Sequence, residues 1–148
     1  MDLKRYKDLP DVLEPTVVRS FFEELLTMPK PLGEEQSLEM AMAFLELSDR
    51  QWHTYKVLDD STRQALDCWI ISNWDCSSEK MTGYLLGVIG SVGLPKSFEF
   101  MKEALQTKIP PFSLAVRTEI ERAIDDFGST VENPYSGMEK THSQALTS

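Results

Sequence analysis

Histidine and cysteine are scarce in this chain, apolar runs are short, and basic residues are outnumbered. Each shortage excludes something. Two cysteines in 148 residues, Cys68 and Cys76, cannot build a disulfide framework. They are expected to be small core hydrophobes, and a cytoplasmic location follows as the default. No apolar run nears the roughly 20 residues of a membrane span. The opening "MDLKRYKDLPDVLEP" has early basic residues but no apolar block behind them, unlike a secretory signal. No segment alternates apolar and polar residues at the two-residue period of a half-buried strand, so the fold class is all-α. Metal-type spacing of Cys and His is missing, as is any Glu-x-x-His pair, so neither metal nor cofactor is expected.

Positive charge is short: 15 Lys and Arg face 24 Asp and Glu, a net charge of −9. Residues 1–50 carry −5, residues 51–108 carry −1 and residues 109–148 carry −3. That balance repels nucleic acid and suits either plain solubility or a basic partner.

What is present is helical periodicity. Val18, Phe21, Phe22, Leu25 and Leu26 share one helix face, opened by Pro15 and ended by Pro29 and Pro31. "EEQSLEMAMAFLEL" (34–47) predicts a second helix, and "SDRQWHTYKVL" (48–58) a short third with Ser48 as N-cap. A fourth spans 59–74, capped by Asp60 or Ser61, and a fifth spans 77–93, capped by Ser77 or Ser78. Pro95 opens a sixth, and 113–128 predicts a seventh. Residues 129–148 read as a loosely ordered tail, with Tyr135 and Met138 as tethers to the body. Residues 1–128 form one domain.

A shift of 35 residues brings two segments into register. Met81 falls on Val116, Leu85 on Ile120, Val88 on Ala123, Ile89 on Ile124, Val92 on Phe127 and Gly93 on Gly128. Leu66 falls on Met101 and Ile70 on Leu105. Residues 60–93 and 95–128 therefore predict two copies of one stackable helical hairpin. Gly93 and Gly128 suit left-handed helix ends. Gly83, Gly87 and Gly90 predict a narrow groove that lets a neighbour approach.

"GYLLGVIGSVGLPKSFEFMKEAL" and "AVRTEIERAIDDFG" resemble helical HEAT-type repeats, with Val116 and Arg117 matching a Val-Arg pair that opens a second helix. The resemblance covers residues 60–128 and implies a short HEAT-like solenoid of about seven helices that serves as a binding scaffold. Residues before 58 are either a divergent repeat or a cap.

Catalysis has thin support. His53 in "QWHTYK" is a conceivable base and Cys68 a conceivable nucleophile, with nothing local to activate it. Paired carboxylates such as Asp125 and Asp126 point in different directions on a helix and read as solvated faces. Binding is better supported. Trp52, Tyr55 and Trp74 lie near helix ends among Asp59, Asp60, Asp67 and Asp75, an aromatic centre with carboxylates to steer a basic partner. Trp52 and Trp74 serve equally well as plugs between helices; Trp69 reads as core. Small acidic α-helical proteins of this kind are similar to bacterial immunity proteins. That similarity implies inhibition of a basic, nuclease-type toxin by an acidic surface, as a monomer or weak dimer. A cytosolic adaptor binding a peptide is the alternative.

Overall fold

The computed structural model describes residues 3–31, 33–107 and 113–127. The assignments to Gly128, the tail with Tyr135 and Met138, and His142 lie outside them. Six α-helices account for most of the described chain, and no strand occurs among the described residues. Pro15 sits in the first turn of α1 (Pro15–Leu26), where its missing N–H costs nothing. Val18, Phe22 and Leu25 fall on one face and are buried. In α2 (Glu34–Trp52), Met40, Ala43, Phe44 and Leu47 do the same. Asp59 caps α3 (Asp60–Asn73) by accepting from the Thr62 N–H at 3.1 Å, in place of the expected Asp60 or Ser61. Ser78 caps α4 (Glu79–Val88), accepting from the Met81 N–H at 3.2 Å. Two more helices follow, α5 (Pro95–Thr107) and α6 (Leu114–Phe127).

Alternate helices pack together. Helix α1 lies on α3 and α3 on α5, while α2 lies on α4 and α4 on α6. The result is two layers, each hairpin giving one helix to each. Phe44 sits at the heart of the α2 side, stacked on Phe22 at 6.4 Å and edge-on to Trp69 at 4.9 Å.

The first two helices obey the same frame as the others. Pro15 to Glu34, Asp60 to Glu79 and Pro95 to Leu114 each open paired helices 19 positions apart. A shift of 45 places Leu25 on Ile70, Met40 on Leu85, Ala43 on Val88, Phe44 on Ile89 and Leu47 on Val92, all buried. The first hairpin thus shares the helix spacing and the buried positions of the two that follow. Against the 35-residue period it carries ten extra residues, 49–58.

Several expectations are corrected. Residues 48–52 are the last turns of α2, not a separate helix, and Ser48 is no cap: its buried hydroxyl donates to the Phe44 carbonyl at 2.7 Å. Helix five ends early, in a π turn at Ile89–Gly93 closed by the Leu94 N–H on the Ile89 carbonyl at 3.3 Å. Two glycines in these five residues weaken the α-helix there, and Gly93 at φ 85° ends the turn. The three helix glycines do not share one groove. A Cβ on Gly87 would lie 2.6 Å from Leu45 of α2, one on Gly90 would lie 2.6 Å from Phe127 of α6, and Gly83 faces open space. Ile124 is 36% exposed, whereas Ile89, which it matches in register, is buried. Cys68 is exposed and Cys76 half-buried, so neither is a core residue.

A 3-10 helix at Leu3–Asp8, unforeseen in the sequence, packs on α2. Buried Tyr6 donates to Glu24 at 2.8 Å and meets Phe21 edge-on. Burial raises its phenol above the ordinary value, against the pull of Arg5.

Candidate functional site

The ten inserted residues do two jobs. Arg50, only 4% exposed, points back to the N-terminal segment and donates to the carbonyls of Lys7, Leu9 and Pro10 at 2.7–3.3 Å. It also pairs with Glu46 at 2.5 Å. A guanidinium is one of the few side chains with enough donors to satisfy so many buried acceptors at once.

The second job is display. Past Trp52 the chain turns through His53 and Thr54 and reaches Tyr55 at φ 57°, the only non-glycine residue with positive φ among those described. That conformation costs a residue with a Cβ roughly 1–2 kcal/mol. Braces hold it in place. The Thr54 hydroxyl donates to the Gln51 carbonyl at 2.7 Å and accepts from the Lys56 N–H at 3.1 Å. The Gln51 amide donates to the Lys56 carbonyl at 2.6 Å. Tyr55 is left 65% exposed, its ring edge-on to Trp52 at 6.1 Å. Val57, not singled out in the sequence, is 45% exposed two residues further along. A shallow depression of about 160 Å³, lined by Arg19, Lys56, Val57 and Asp59 among others, adjoins the turn.

The seven residues picked from sequence do not form one patch. Trp52, Tyr55, Asp59 and Asp60 gather at the α2–α3 junction. Trp74 and Asp75 lie at the far end of α3, whose 14 residues span about 20 Å. There the Trp74 indole N–H donates to Thr82 at 3.0 Å and its ring meets Phe100 edge-on. Asp75 accepts from the Ser77 N–H and hydroxyl at 3.0 and 2.6 Å.

Asp67 faces inward. It is 5% exposed and accepts from the N–H and hydroxyl of fully buried Ser97 at 2.9 and 2.5 Å. Leu94 precedes α5 and has no capping group, so a carboxylate from α3 caps it instead.

The junction carboxylates are engaged as well. Burial opposes ionisation of Asp59, but hydrogen bonds from Ser61 and Thr62 outweigh it and lower the pKa. Asp60 pairs with Arg63 at 2.6 Å, and Arg63 also donates to the Gly93 carbonyl at 3.4 Å. Both carboxylates thus already have partners within the chain, and the Trp52–Tyr55 ring pair is the distinctive feature.

Reactive groups do not converge here. The His53 Nδ1 lies 2.8 Å from the Asp49 carbonyl oxygen within its own turn. Cys76 has its thiol pKa pushed up by burial and by the Asp75 carboxylate, which keeps it in the unreactive form. No group of three His, Cys, Asp or Glu among the described residues could hold a metal ion, and none of the described helices is long and apolar enough to cross a membrane.

Compared with protein-family models, curated proteins and solved structures, the chain matches none.

Proposed function

We propose that this chain is a protein-binding module and that the inserted α2–α3 junction is its contact surface. The carrying observation is Tyr55: a bulky residue in a left-handed conformation, braced on both sides and largely exposed. Backbone strain that the surrounding structure maintains is characteristic of functional sites. Insertions that leave a scaffold intact are where binding loops arise. Trp and Tyr are the commonest anchors of protein interfaces.

In its finer form, the partner is a basic toxin and the protein is of the immunity type, covering the toxin's active site. The net charge of −9 supports this by favouring encounter with a cationic protein. The adaptor reading draws on a different observation, that Asp59 and Asp60 already have partners in their own chain, which puts the weight on apolar contact. Ionic strength separates the two. Association with a basic toxin slows steeply as salt rises, whereas apolar anchoring changes little.

The test is Tyr55→Gly, titrated against basic proteins encoded by neighbouring reading frames. Relief of roughly 1–2 kcal/mol of strain is offset by about 0.5–1 kcal/mol of added chain entropy. The variant should therefore fold about as stably as wild type while its affinity falls at least about tenfold. Unchanged affinity for a partner that wild type binds would refute the assignment of the surface.

A further inference from the structure

We propose that the outer face of α5 is an interface between two copies of this chain, paired antiparallel about a twofold axis. This face uses none of the junction residues. Lys96, Glu99, Phe100 and Glu103 follow one another at helical spacing along its exposed side. Together with Ile71 and Pro95 they line an open groove of about 350 Å³ between α3 and α5. Phe100 and Ile71 are 38% and 37% exposed, and Trp74 supports the Phe100 ring edge-on at 6.1 Å.

The order of charges selects the occupant. Lys102 takes Glu99 at 2.5 Å and lies over the Phe98 ring, so Glu99 is neutralised within its own chain. Lys96 and Glu103 form no ion pair among the described residues. They stand seven positions apart, about 10 Å along the helix, with Phe100 near their midpoint. A basic segment in the groove would meet Lys96, and an acidic one would meet Glu103. A segment that satisfies both must carry the opposite charges in reverse order around an apolar centre, and an antiparallel second α5 does so. The twofold sets each Lys96 against the other copy's Glu103 and the two Phe100 rings against each other, an isologous contact. The face is small, so the pair is expected at the weak end of protein association.

Analytical ultracentrifugation from about 10 µM to 1 mM tests this. Wild-type mass should climb from 16.9 kDa toward twice that value. Lys96→Glu and Glu103→Lys should each weaken self-association at least about tenfold, because symmetry turns both attractive pairs repulsive. Phe100→Ser should abolish it. All three positions are exposed, and far-UV circular dichroism verifies that the variants fold. The decisive sample is an equal mixture of Lys96→Glu and Glu103→Lys, in which each acidic end again faces a basic one. Recovery of the doubled mass supports the proposal, as does recovery in the chain carrying both substitutions. A wild type that stays at 16.9 kDa throughout would overturn it, and so would a mixture that fails to recover.

Discussion

Replacing Asp67 by alanine separates a structural carboxylate from a partner-binding one. The carboxylate accepts two hydrogen bonds from Ser97, whose side chain is fully buried. Alanine would leave the first turn of α5 with a buried N–H and hydroxyl facing no acceptor, at about 1–3 kcal/mol. The favourable contact of the charge with the helix N-terminus, about 0.3–1 kcal/mol, is lost too. Relief from burying a carboxylate returns part of this, so a net loss of about 2–3 kcal/mol is expected. At roughly 2–4 °C per kcal/mol for a domain of this size, the melting temperature should fall by about 5–10 °C. Urea unfolding followed by circular dichroism should show an earlier midpoint with unchanged slope. Asp67→Asn keeps an acceptor and should lose only about 1 kcal/mol. A cycle with Ser97→Ala should return a coupling of at least about 1 kcal/mol. Asp67→Ala within about 0.5 kcal/mol of wild type, the range of a surface substitution, would refute the reasoning.

Gly90→Ala would drive a Cβ into the Phe127 ring and should cost about 1–3 kcal/mol. Gly83→Ala, in open space on the same helix, should instead stabilise by up to about 1 kcal/mol in the same melts. Arg50→Ala strips three carbonyls and Glu46 of a buried donor. It should cost about 3–5 kcal/mol, and limited proteolysis should cut first around Leu9 and Pro10. Asp59→Ala should remove about 0.5–2 kcal/mol of cap energy at neutral pH. Because the folded-state pKa of Asp59 lies below its unfolded value, that contribution is full above about pH 4 and fades as pH falls through the folded value. Wild type and variant should then converge in acid-titrated melts.

Much of the helical fold was legible because its signals are local. Pro15, Ser78 and Pro95 mark helix starts by their own chemistry, and the apolar spacing of Val18, Phe22 and Leu25 needs no tertiary context. The later copies shared a period, and their inward residues mostly agree. The match of the first hairpin is hidden in the sequence because residues 49–58 shift its register from 35 to 45. At the start of that insertion, "SDR" (48–50) looks like a capped helix start, yet continuous hydrogen bonding and the buried Ser48 bond make it a helix end. The candidate site was harder. Trp52 and Tyr55 stand out in sequence as aromatics near a helix end among aspartates, but nothing in the sequence gives Tyr55 its positive φ. Asp67 reads like any helix aspartate until Ser97, 30 residues away, arrives beside it. Cys68 lies among Leu66, Trp69 and Ile70 in sequence but on the outer side of α3.

Hydrogen exchange of this chain, alone and mixed with basic proteins encoded by neighbouring reading frames, tests the proposed contact surface most directly. A complex in which the amides of residues 51–58 exchange markedly more slowly is the expected result. A complex that leaves those amides unchanged while protecting another face, or the absence of any complex, would contradict it.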